Sequence, residues 1–70
     1  MIQRAKLQEI AFEGAIYRGE TEEDAARSAK EVVSYVLANL EVCQAYFHDS
    51  DVQVIVRKAA EYGWGLGGEL

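Results

Sequence analysis

Cys43 and His48 are the residues of this chain most able to do covalent chemistry, a thiol and an imidazole that could act as its base. Their spacing works against them. Five residues apart on a helix, two side chains point about 140° apart, so thiol and imidazole of one chain do not meet. Cys43 also falls among apolar residues at helical spacing, where a thiol is buried and inert. His48 has Asp49 and Asp51 nearby, and carboxylates with an imidazole can ligate a metal. A site needs three or four convergent ligands, however, and capping and solvation at a helix end account better for these residues. No serine stands with a histidine and an acid in a nucleophile motif. No catalytic residue, metal or cofactor is expected, and the chain reads as non-enzymatic.

Residues 63–68, GWGLGG, match the dinucleotide-binding pattern G-x-G-x-x-G. Those glycines work by turning a strand into a helix whose N-terminal N–H groups hold a pyrophosphate. Only Glu69 and Leu70 follow here, so no such helix is expected, and the match is one of composition. Arg57 and Lys58, an adjacent basic pair, invite a helix-turn-helix reading with their helix in a DNA groove. The charge balance argues against nucleic acid: 12 acidic residues against 7 basic ones give a net charge of −5. The acids cluster. Glu20, Glu22, Glu23 and Asp24 form one run, and no lysine or arginine lies between Glu31 and Asp51. Such a run suits a helix N-terminus, and it could also face a basic groove on a partner.

Seventy residues, half of them apolar and none of them proline, make a single small domain near the lower limit for a self-sufficient core. One cysteine excludes an internal disulfide and fits a reducing compartment. No apolar run approaches the length of a membrane span and no leader pattern opens the chain, so a cytoplasmic protein without a membrane role is expected.

The periodicity predicts an all-α fold of three helices: about 2–18, 22–47 and 51–62, with a glycine-rich tail over 63–70. In the first helix Leu7, Ile10, Ala11, Gly14 and Ala15 share one side. Gly19 is a left-handed stop, and Thr21, with Asp24 three residues on, is placed to cap the second helix. In that helix Ala29, Val33, Val36, Leu40, Cys43 and Phe47 repeat at intervals of four and three. The rhythm does not slip, which predicts one central helix about 39 Å long. A second stripe, Val32, Tyr35, Val42 and Tyr46, lies beside the first, and with Leu37 the two cover about 220° of the circumference. The third helix, opened by SDVQ as a capping box from Ser50 to Gln53, is less than half as long. Part of the seam Val33, Val36, Leu40, Cys43 and Phe47 is therefore expected to stay bare and to pair with a second copy, giving a helical homodimer.

Tyr62, Trp64, Leu66 and Leu70 follow the last helix, interleaved with glycine. Trp64 is expected either to fold back as a lid on the bundle or to serve as an aromatic anchor on a partner, with the lid favoured in so small a domain. The functional expectation is a small acidic protein that binds, and inhibits, a larger macromolecule through its acidic helix start and its aromatic surface. The candidate contacts are Glu20, Glu22, Glu23, Asp24, Tyr35, Tyr46 and Trp64. In size, charge and simplicity the chain resembles the compact inhibitors that phages and other mobile elements encode, such as anti-CRISPR proteins and anti-activators, although no motif carries the likeness. The alternatives are an assembly subunit of a protein complex and a small DNA-binding or antitoxin-like regulator.

Overall fold

Helices make up all the regular structure of residues 3–65, the part of the chain that the computed structural model describes. There are four: α1 (Arg4–Tyr17), α2 (Glu22–Ala38), α3 (Leu40–Phe47) and α4 (Val52–Glu61). The all-α expectation holds, but the long central helix does not. It is divided at Asn39, whose backbone sits at φ −130°, ψ 40°. The Asn39 side-chain amide donates to the carbonyl of Tyr35 at 3.0 Å, and its backbone N–H reaches the same carbonyl at 3.0 Å. An asparagine that satisfies backbone groups with its own side chain competes with helix propagation. The heptad spacing conceals the break because helical turns resume at once, with the Cys43 N–H donating to the Asn39 carbonyl at 2.9 Å.

Packing supplies the reason for the break. A straight helix over 22–47 would measure about 39 Å, whereas the described residues extend 29 × 26 × 17 Å. Turning the chain at Asn39 lets α3 pack on α4 while α1 packs on both α2 and α4. Val33 and Val36 of α2 then share one buried cluster with Cys43 and Phe47 of α3, Leu7 and Ala11 of α1, and Ile55 and Val56 of α4. Leu40, half-buried, packs against that cluster. The expected dimer seam is thus filled within a single chain, and it no longer points to a second copy.

Three of the helix ends use the same device. Gly19 (φ 105°) and Gly63 (φ 80°) take the left-handed conformation after α1 and α4. In each case the glycine N–H and the following N–H return to the last turn: Gly19 to Ile16 and Glu20 to Ala15, Gly63 to Ala60 and Trp64 to Ala59, at 2.9–3.1 Å. This double bond pair satisfies carbonyls that would otherwise lack partners. After α3 the left-handed position falls to His48 (φ 55°), with Asp49 N–H closing onto Gln44 at 3.1 Å. The helix starts are conventional. Thr21 Oγ1 accepts from the Asp24 N–H at 3.2 Å, as its spacing predicts, while the Asp24 carboxylate pairs with Arg27. At α4 the cap is Asp51 rather than Ser50: its carboxylate accepts from the Gln53 N–H at 2.9 Å, and Asp49 in turn accepts from the Asp51 N–H at 2.8 Å. A carboxylate two residues before the donor outcompetes the Ser50 hydroxyl.

Small residues set the helix spacing. Ala11, Gly14 and Ala15 of α1 are buried, as are Ala59 and Ala60 of α4. At Gly14 a Cβ would lie 2.9 Å from the Arg57 carbonyl oxygen and 3.0 Å from the Ala60 Cβ. Backbone meets backbone at that crossing, and the helices cannot part without opening the core on both sides.

Two stability measurements follow. Gly14→Val should lower the unfolding free energy by about 1–3 kcal/mol in chemical denaturation, through overpacking against α4. His48→Gly should raise it by about 0.5–1 kcal/mol, because a solvent-exposed side chain is held in the left-handed region for no packing gain.

Candidate functional site

The break at Asn39 gathers five aromatic rings at one end of the molecule. Tyr35 comes from α2, Tyr46 and Phe47 from α3, and Tyr62 and Trp64 from the turn after α4. The Trp64 ring lies 5.1 Å from Phe47, 5.5 Å from Tyr46 and 5.7 Å from Tyr35, the last edge-on at 81°. Tyr62 meets Phe47 at 5.6 Å. Inclined contacts of this kind are the favoured geometry between rings with negative faces and positive edges. Phe47 is buried beneath them and belongs to the core.

Glycine explains how the tryptophan reaches this place. The left-handed cap at Gly63 reverses the chain, and the Trp64 N–H is pinned to Ala59 by the second cap bond. Gly65 passes so close to α2 that a Cβ there would run into the carbonyl oxygen of Ser28. At Gly63 a Cβ would lie 2.9 Å from the guanidinium carbon of Arg18. Two glycines of GWGLGG therefore serve a cap and a close approach, and Trp64 between them lies half-buried against the core. That is the lid arrangement. Leu66 and Leu70, the other apolar residues expected of the tail, lie outside the described residues.

Beside the lid is an open groove of about 460 Å³, with Tyr35, Val42, Tyr46, Tyr62 and Trp64 as its apolar walls and Cys43 and Gly63 also lining it. Val42, Tyr46 and Tyr62 are 64%, 61% and 59% exposed, which is unusual for large apolar side chains standing together. Tyr35, Tyr46 and Trp64 were expected from the sequence as contact residues, and the structure brings them together. Val42 and Tyr62 complete the groove. Val42 shares the helical stripe of Tyr35 and Tyr46, a signal already visible in the sequence. The position of Tyr62 depends on how α4 packs, and no spacing announces it.

The acidic run, by contrast, is divided. Glu20 is not a surface contact: its side chain is 6% exposed, accepts from the Ser28 hydroxyl at 3.0 Å and pairs with Arg18 at 3.2 Å. That cluster ties the α1–α2 turn to α2 beside Gly63, and it removes Glu20 from the candidate contacts. Asp24 is half-buried and engaged with Arg27, while Glu22 and Glu23 remain exposed at the start of α2. Arg57 is likewise engaged, with Glu61 at 2.7 Å and its guanidinium 5.8 Å from the centre of the Tyr17 ring.

The covalent chemistry considered for Cys43 finds no support in the geometry. The thiol is 1% exposed, and burial raises its pKa above the usual thiol value, away from the nucleophilic thiolate. His48 is exposed at the left-handed end of α3. Among the described residues no group of three or more histidine, cysteine or acidic side chains could hold a metal ion. Among them, too, no helix is long and apolar enough to cross a membrane. No protein-family model, no curated protein and no solved structure matches this chain.

Because Trp64 packs on Phe47 but stays half-buried as a wall of the groove, Trp64→Ala should cost about 2–3 kcal/mol of stability, somewhat below the range for a fully buried ring. Its emission in the folded protein should be blue-shifted relative to the unfolded chain. A red, freely quenched tryptophan in the native protein would show that the lid does not form in solution.

Proposed function

We propose that this chain is a non-enzymatic protein-binding module that inhibits a larger partner by occupying its surface, with the aromatic groove as the contact. The observation that carries this is the cluster of exposed apolar side chains around one concavity, Val42, Tyr46 and Tyr62, backed by half-buried Tyr35 and Trp64. A domain this small gains stability from every large apolar group it can bury. Leaving these three outside, two on α3 and one at the cap of α4, supports a surface kept for a partner. Tyrosine and tryptophan are also the residues that most often dominate binding energy, since they offer large rigid area at low entropy cost.

The acidic character has a second role in this proposal. Net charge −5 steers the chain toward a basic partner, and Glu22 and Glu23 are the exposed members of the run able to contribute. A DNA-binding role is less well supported, because, of the basic pair it would need, Arg57 is engaged by Glu61 and Tyr17, which leaves Lys58 against a net charge of −5. An assembly subunit would use the same groove, and differs only in what binding does to the partner.

Affinity capture from a lysate of the native host cell tests the proposal when three forms are compared: the wild type, a Tyr46→Asp/Tyr62→Asp double variant, and a Glu22→Gln/Glu23→Gln variant. One protein should be retained by the wild type and lost, by about a hundredfold or more in affinity, from the groove variant. The acid variant should retain it with slower association. Adding the purified chain at equimolar ratio should then suppress the activity of that protein. Retention indifferent to the groove substitutions would overturn the proposal.

A further inference from the structure

We infer that the groove is a receptor for an arginine side chain carried on a protein segment of the partner. This rests on the groove being the protein-binding surface, and it specifies what enters it. The groove walls combine three tyrosines and a tryptophan with no cationic residue. Ring faces carry negative potential, and they attract a cation placed within about 6 Å of the ring centre. Trp64 is inclined at 81° to Tyr35 and 56° to Tyr46, so these rings do not stack flat on one another, and all three line the groove.

The surrounding charge has the matching sign. From Glu31 to Val56 the chain carries no lysine or arginine. Glu31 precedes Tyr35 by one helical turn on α2, and Glu41 adjoins Val42 on α3. Both carboxylates are exposed, and neither forms an ion pair among the described residues. Arg18 lies beside the lining residue Gly63 and is paired with Glu20, and Lys58, one helical turn before Tyr62, is the one basic residue set against Glu31 and Glu41 by the same spacing. An apolar segment would use the ring area alone and leave this potential unanswered. Arginine answers both: its planar guanidinium stacks on aromatic faces and sheds water more readily than an ammonium, and its stem lies along apolar walls.

The protein already shows the same pairing elsewhere, with Arg57 over the Tyr17 ring at 5.8 Å. The groove offers a denser version without a cation of its own.

The test compares two probes that differ by one charge. A short leucine-containing peptide with a central arginine is titrated into the full chain, alongside the same peptide with citrulline, the neutral isostere, and aromatic ring signals are followed by NMR. The arginine peptide should bind about tenfold more tightly than the citrulline peptide and shift the ring signals of Tyr46, Tyr62 and Trp64. Tyr46→Leu and Tyr62→Leu, at positions already largely exposed, should keep the fold and reduce this preference to about twofold or less. Equal binding of both peptides would overturn the arginine assignment while leaving an apolar protein-binding groove. Failure of either peptide to move the groove signals would count against both. Diffusion measurements on the free chain add a further arm: self-association abolished by Tyr46→Leu would make the occupant a second copy and overturn the proposal.

Discussion

Asn39 directs its side-chain amide to the carbonyl of Tyr35, and the arrangement of the rest of the molecule depends on the turn this makes. Without it, the residues from Glu22 to Phe47 would form a rod about 39 Å long, longer than any dimension of the described domain. With it, α3 packs on α4, Cys43 and Phe47 enter the same cluster as Val33 and Val36, and a chain of 70 residues closes its core on its own. A single local hydrogen bond contributes only about 1 kcal/mol. It decides the fold because it selects between two packings of the same apolar residues, each side chain of which contributes about 1.5–3 kcal/mol when buried.

The second constraint is proximity. A core made largely of alanine and valine has little volume to fill gaps, so helices must approach until backbones touch. Gly14 permits that at the α1–α4 crossing, and Gly65 permits it where the C-terminal turn meets Ser28. The Arg18–Glu20–Ser28 cluster secures the same corner with charge-assisted hydrogen bonds. Held from both sides, the turn fixes Trp64 against Phe47, and the floor of the groove inherits the rigidity of the core.

The groove itself is a by-product of the break with a use of its own. Turning α3 away from the line of α2 leaves Tyr35 and Tyr46 on neighbouring elements facing a shared space, which Trp64 fills in part and Tyr62 borders. In an acidic protein, rings so arranged combine two attractions, apolar area for a side-chain stem and negative ring faces for a positive head. The residues that define the fold and those proposed to define binding thus meet at one end of the domain.

Local chemistry was legible in the sequence wherever the deciding interaction lies within a few residues. The helical periodicity, the left-handed stop at Gly19 and the Thr21 cap all depend on neighbours a few positions away, and all are found. The same near-range logic misled at Asn39, where an unbroken heptad rhythm concealed a helix end, and at Ser50, where Asp51 takes the cap. Glu20 could be placed on the chain as one of a run of acids, but its burial beside Arg18 and Ser28 is set by the meeting of α1, α2 and the final turn. Only the tertiary structure decided that the seam is satisfied internally, that Tyr62 belongs to the groove, and that GWG is a cap and a contact. The physical reason is that each of these turns on which surface arrives opposite, and burial energy, unlike hydrogen bonding along a helix, carries no record of sequence separation.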